Sequence, residues 1–170
     1  MERQNAITFK GAPLTLVGDE VQVGQPAPAF TAVMNDLSEY QLSNDQGKVI
    51  VLAAVPSLDT GICDMETRKF NELAASLGED VQIVTISMDL PFAQARWCGA
   101  AGVDQVKTVS DYKGPEFGPR YGLLIKELHL LARAVLVIDK QGVVQYYQLV
   151  PEVAEEPDYD AVIEAVKKLL

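Results

Sequence analysis

The chain has 170 residues, 48% apolar and 22% charged, with 24 acidic against 14 basic side chains and a formal net charge of −10. That length suits one domain with a real core and is too short for two comfortable ones. The acidic balance disfavours nucleic acid or an anionic membrane surface as partner, and two cysteines with one histidine, His129, supply neither a disulfide scaffold nor a Cys/His zinc site.

The first residues, MERQNAITFKGAPLTLVGDE, contain no uninterrupted apolar stretch of the kind a signal peptide needs. No later run reaches membrane-spanning length. A cytosolic protein with reduced thiols at rest is therefore expected. ITFK and PLTLV alternate apolar with polar residues around Gly11 and Pro13, which predicts an N-terminal hairpin over residues 1–20. VGQPAPAF is extended, because its prolines exclude helix. KVIVLAAV (48–55) and VQIVTISM (81–88) are continuous apolar runs of strand length, as in strands buried on both faces. Between them, Phe70, Leu73, Ala74 and Leu77 fall on one helix face, with Gly78 as the stop. Asp89 resembles an N-cap for a short helix over LPFAQARWCGAAG, with Pro91 in its first turn. DQVKTVS is a short strand, and DYKGPEFGPRYG a loop with one helical turn. RAVLVIDKQGVVQYYQLV is a hairpin, and EEPDYDAVIEAVKKLL a closing helix with acids first and lysines last. This order predicts an α/β sandwich around a mixed sheet, with the site at the carboxyl ends of the strands.

PSLDTGICDMETRKF (56–70) lies at such an end. With Thr60 as N-cap, Cys63 takes the third helical position, the slot that glutamate holds in a capping box. Free N–H groups and the positive helix end favour a thiolate there. Asp59, Asp64 and Glu66 oppose it if they face the sulfur, so a cation must help. Arg133, among almost wholly apolar neighbours in LHLLARAVLVID, is the candidate. Two readings of Arg133 stand open: a group facing the site, or an ion pair with some buried carboxylate. Parity puts it on one strand face with Val135 and Val137, opposite Ala134, Leu136 and Ile138. Cys63 could also be an inert small hydrophobe, but loop-to-helix junctions at strand ends are not expected to be core. Cys98 is either a buried neighbour of Trp97 or a second thiol. The C-terminal end of its helix makes it a poor first nucleophile. His129 reads as a polar loop residue; nothing ties it to Cys63.

PSLDTGICD resembles the Pro-x-x-x-Thr-x-x-Cys segment of peroxiredoxins. FNELAASL, DLPFAQARWC, SDYKGPEFGPRYG and LLARAVLVID are similar, in order, to the bacterial thiol peroxidase subfamily, so the likeness spans nearly the whole chain. Gly61 departs from the proline common there. The resemblance implies a thioredoxin-like fold and reduction of hydrogen peroxide and alkyl or lipid hydroperoxides. Cys63 would be the peroxidatic thiol and Cys98 the resolving thiol, joined as an intrachain disulfide. Thr60 would hydrogen-bond thiolate and peroxide, Pro56 would shield the site, and Arg133 would stabilise the thiolate, which favours the first reading of that residue. Thioredoxin would be the reductant and a homodimer the assembly, with no metal, haem or flavin. A disulfide oxidoreductase on the same fold would need CxxC, but positions 60 and 66 are Thr and Glu. A binding module with inert cysteines is the other alternative. Finally, Cys98 lies seven residues beyond Pro91, roughly 10 Å along a helix. The reduced chain is thus expected to keep its thiols apart until a segment unwinds.

Overall fold

A computed structural model describes residues 1–170. The strands are β1 (Glu2–Phe9), β2 (Ala12–Val17), β3 (Ala32–Met34), β4 (Glu39–Tyr40), β5 (Val49–Ala54), β6 (Val81–Ser87), β7 (Val106–Ser110), β8 (Leu124–Ile125), β9 (Leu130–Leu131), β10 (Ala134–Ile138) and β11 (Val144–Leu149). The helices are α1 (Gly61–Leu77), α2 (Pro91–Ala101), the single turn α3 (Phe117–Arg120) and α4 (Tyr159–Lys167). Seven strands form a mixed sheet in the order β11-β10-β5-β6-β7-β3-β4, and β1-β2-β8-β9 form a second, antiparallel sheet.

The central strands read as unbroken apolar runs because both faces are covered. Ile50, Leu52, Ala54, Leu136 and Ile138 point into the larger core, shared with Ile7 and Leu16 of the second sheet and with Phe30, Phe117 and Tyr121. Val49, Val51, Ala53, Val135 and Val137 point the other way, against Phe70 of α1 and Val162 and Val166 of α4. The parity predicted for β10 is therefore the observed one. β5 and β6 are parallel and joined through α1, whereas β10 runs antiparallel to β5.

Some local expectations are corrected. Pro13 belongs to β2, opposite Thr8, rather than to the turn. Asp89 does not cap α2. The N-cap is Leu90, which makes no side-chain capping bond, and Asp89 turns its carboxylate back toward residues 57, 58 and 87. Three donors there outcompete the helix end for one carboxylate. β3, β4, β8 and β9 were not anticipated; with two or three residues each, they show no period of their own.

Candidate active site

β5 ends at Ala54 and the chain turns through the buried Pro56 into α1. Thr60 is the N-cap of α1, and its Oγ1 accepts the Cys63 N–H at 3.4 Å while its hydroxyl donates to the Ser57 carbonyl at 3.0 Å. The N–H groups of Gly61 and Ile62 have no partner in the chain. They are the orphan donors that every helix start leaves behind. The loop is tied down from below: Asp89 accepts from the Ser57 hydroxyl at 2.7 Å, the Leu58 N–H at 2.9 Å and the Ser87 hydroxyl at 2.8 Å.

Cys63 is fully buried, in a small cluster with Val55 and Leu58 against which Trp97 packs. This corrects the expectation that the junction lies outside the core: Trp97, brought over from α2, roofs it. The cavity at this end of the sheet measures about 820 Å³ and is lined by ten hydrophobic residues of seventeen. Pro56, Thr60, Gly61, Ile62, Asp64, Trp97 and Arg133 all line it, so Cys63 has cavity-lining residues on both sides of it in the chain. The remaining wall comes from Phe9 and Lys10 at the β1–β2 turn and from Ile125, Leu128 and Leu130 around the β8–β9 hairpin. Sequence reasoning missed this wall. The exposed apolar side chains at two hairpin turns, Phe9 and Leu128, were the available signal.

Arg133 reaches the cavity through strand register. Ala134 pairs with Ala54, so the preceding residue stands at the carboxyl end of β5. Its guanidinium is buried, with Nε and Nη2 donating to the Val153 carbonyl at 3.1 and 2.9 Å. Nη1 lies 3.5 Å from Glu66 Oε1 without a hydrogen bond. Both readings of Arg133 thus find a counterpart in the structure: it opens onto the cavity and has a buried acidic neighbour. Burial pushes the Glu66 carboxyl up to about 8, and the nearby guanidinium only partly offsets that rise. The length of the contact explains the balance, because an ion pair without hydrogen bonds does not compensate desolvation. Burial thus favours the protonated form of Glu66, which leaves the charge of Arg133 less fully cancelled.

The other acids are accounted for. Asp59 is exposed. Asp64 accepts from Arg68 and, at 3.2 Å, from the Trp97 indole N–H. Cys98 is half-buried on α2, 3.5 Å from the Thr108 hydroxyl, and lines a separate groove of about 300 Å³. Both cysteines are free thiols. His129 is exposed in the β8–β9 turn with a positive φ of 53° and does not line the cavity.

Residues 22–163 match the Redoxin family. The chain is 55% identical over 164 residues to a thiol peroxidase of Bacillus subtilis (strain 168), covering 96% of this chain and 98% of that one.

The chain is a peroxiredoxin of the thiol peroxidase group.

A thiol peroxidase of Halalkalibacterium halodurans is 53% identical, over 97% of this peroxiredoxin and 99% of that chain. Among solved structures, a peroxiredoxin-like protein from Aquifex aeolicus superposes with a TM-score of 0.92 at 46% identity, covering 98% of both chains. A thiol peroxidase from Chromobacterium violaceum shares the fold at a TM-score of 0.86 and 20% identity, with 95% of each chain covered. No helix of this peroxiredoxin is long and apolar enough to cross a membrane.

Proposed function

We propose that Cys63 is the peroxidatic thiol of this thiol-dependent peroxidase and that Cys98 resolves it within the same chain. The observation that carries the reading is the convergence at one sheet end of a helix N-terminus bearing Cys63, two unpaired N–H groups and a buried arginine. The thiolate attacks one peroxide oxygen, the O–O bond breaks, and the departing oxygen takes a proton and leaves as alcohol or water. The sulfur is oxidised to sulfenic acid. The Arg133 charge and the positive end of α1 stabilise the thiolate before attack and the developing oxyanion during it. The N–H groups of Gly61 and Ile62 are available to the peroxide oxygens. Thr60, whose own proton points to the Ser57 carbonyl, keeps a lone pair for a peroxide O–H. Pro56 closes the floor against water.

Cys98 then attacks the sulfenic sulfur, water leaves, and a Cys63–Cys98 disulfide forms. A thioredoxin-type dithiol reduces it by exchange. The apolar cavity suits an organic hydroperoxide better than hydrogen peroxide alone, since its walls desolvate a hydrocarbon tail. We further propose a homodimer in the bacterial cytoplasm. The exposed Leu90, Phe92 and Tyr112, which follow neighbouring strands β6 and β7 at one end of the sheet, supply an apolar surface for that contact.

Peroxide consumption with a thioredoxin system tests the reading. Cys63→Ser is expected to abolish turnover, because serine provides no thiolate-like nucleophile at neutral pH. Near-native turnover by that variant would remove the assignment. The wild-type protein is expected not to reduce insulin disulfides, which separates it from a disulfide oxidoreductase.

A further inference from the structure

Cys63 is buried beside one cavity while Cys98 lines another, and the turn that carries Cys98 is fastened to the helix that carries Cys63. The fastening is specific. The Trp97 indole N–H donates to Asp64 Oδ2 at 3.2 Å. Arg68 bonds the other oxygen of the same carboxylate, and its guanidinium lies 5.7 Å from the Trp97 ring centroid. The Nη1 of Arg68 also donates to the Ala101 carbonyl at 3.3 Å, at the last turn of α2. Asp64 and Arg68 thus grip α2 on both sides of Cys98. The grip does not extend to the start of that helix. There Gln94, fully buried, donates to the Ser87 hydroxyl at 3.0 Å and the Val109 carbonyl at 2.8 Å. Ser87 in turn meets Asp89, which holds the Cys63 loop. One end of α2 is therefore anchored in the sheet, and the other is held by contacts to α1 that are partly exposed to solvent.

We propose that Trp97 is a positioning residue for the resolving step: clasped by Asp64 and Arg68, it holds the Cys98 turn closed over Cys63 and sets the rate at which the disulfide forms. The proposal rests on the reading of Cys98 as the resolving thiol. Once Cys63 is a sulfenic acid, Cys98 attacks its sulfur, the S–O bond breaks, water leaves and the S–S bond forms. That attack requires Trp97 to withdraw, since it packs against the cluster that buries Cys63 while Cys98 lies in a separate groove. Contacts present only in the closed form lower the population of the open form, and so slow every step that passes through it. The clasp also sets how long the sulfenic acid stands exposed to a second peroxide. Residues 95–102 move, while Gln94 is the fixed point.

The test compares the wild type with Trp97→Phe and Arg68→Gln, each reduced and then mixed with one equivalent of peroxide. Rapid quenching with a thiol-alkylating reagent and mass spectrometry separate Cys63 oxidation from disulfide formation. Phenylalanine keeps the roof over Cys63 and loses the bond to Asp64. Trp97→Phe is expected to form the disulfide roughly tenfold faster, equal to about 1.4 kcal/mol and to the low end of a hydrogen bond to a charged group. Arg68→Gln, at an exposed position that leaves folding undisturbed, is expected to give roughly fivefold. In Arg68→Gln, which does not line the cavity, the rate of Cys63 oxidation is expected to stay within about twofold of wild type, and in both variants over-oxidation at excess peroxide is expected to fall. A merely structural role would alter both rates together or neither. Equal disulfide rates in all three proteins, or faster Cys63 oxidation in step with faster resolution, would overturn the clasp alone. Absence of an intrachain disulfide in the wild type would overturn the reading of Cys98, and the clasp with it.

Discussion

Glu66 is three residues past Cys63, fully buried, and neither of its carboxylate oxygens has a hydrogen bond. Because burial holds its proton on up to about pH 8, the folded protein binds a proton that the unfolded chain has already released above its ordinary value near 4.5. Stability from this group is therefore fully present below about pH 4.5 and declines as pH rises through 8. Glu66→Gln has no proton to lose in either state. Its melting temperature relative to wild type is expected to climb between pH 5 and pH 8, as read by thermal unfolding of reduced protein at several pH values. Parallel curves would mean that Glu66 is ionised in the fold and paired with Arg133 throughout. On the proposed mechanism the same group bears on catalysis, because protonation of Glu66 leaves more of the guanidinium charge at the cavity uncancelled.

On the proposed mechanism most of the chemistry rests on the first turn of α1, and Gly61 is its weakest residue. A side chain there would meet nothing within 4 Å, and the Gly61 N–H is unbonded within the chain. Proline at the first helical position is pre-organised for the helix. Gly61→Pro is expected to raise stability by about 0.4–1 kcal/mol and to slow disulfide formation, since a stiffer turn unwinds less readily. Denaturant titration and the rapid-quench assay check the two effects, and a destabilised variant would show that the backbone at 61 is not helical. This turn was legible in the sequence because its signals are local: Thr60 and Cys63 stand at capping spacing, after a run that ends at Val55. The face of Arg133 was legible from strand parity. What the sequence concealed depends on contacts between distant segments. Glu66 read as a repulsive neighbour of the thiol, whereas register brings Arg133 to it from β10. Asp89 read as a cap because a helix follows it, but two donors from the distant 57–58 loop and one from nearby Ser87 claim its carboxylate. The burial of Cys63 depends on Trp97, 34 positions away, and no spacing rule reaches that far.

Across the whole molecule, the sheets are continuous and internally bonded, while the two cysteine segments are held by a few side-chain contacts. Reduced and oxidised protein are expected to differ at residues 60–66 and 95–102 and to agree in β5, β6 and β10, as measured by amide hydrogen exchange. Cys98→Ser is expected to leave the first attack intact and to accumulate over-oxidised Cys63 under excess peroxide. Steady turnover with thioredoxin in that variant would show that another thiol resolves the intermediate. The cavity also has a divided ancestry within the fold. Its reactive side belongs to β5, α1 and β10, and its outer wall to the tips of two hairpins in the other sheet, at Phe9, Lys10 and Leu128. The β1–β2 tip is bonded to the 151–153 segment, whose Val153 carbonyl holds Arg133, whereas Leu128 makes no hydrogen bond to the reactive side. Substitution at Leu128 therefore reshapes the outer wall of the cavity while leaving the bonds that hold Arg133 and the Cys63 turn in place.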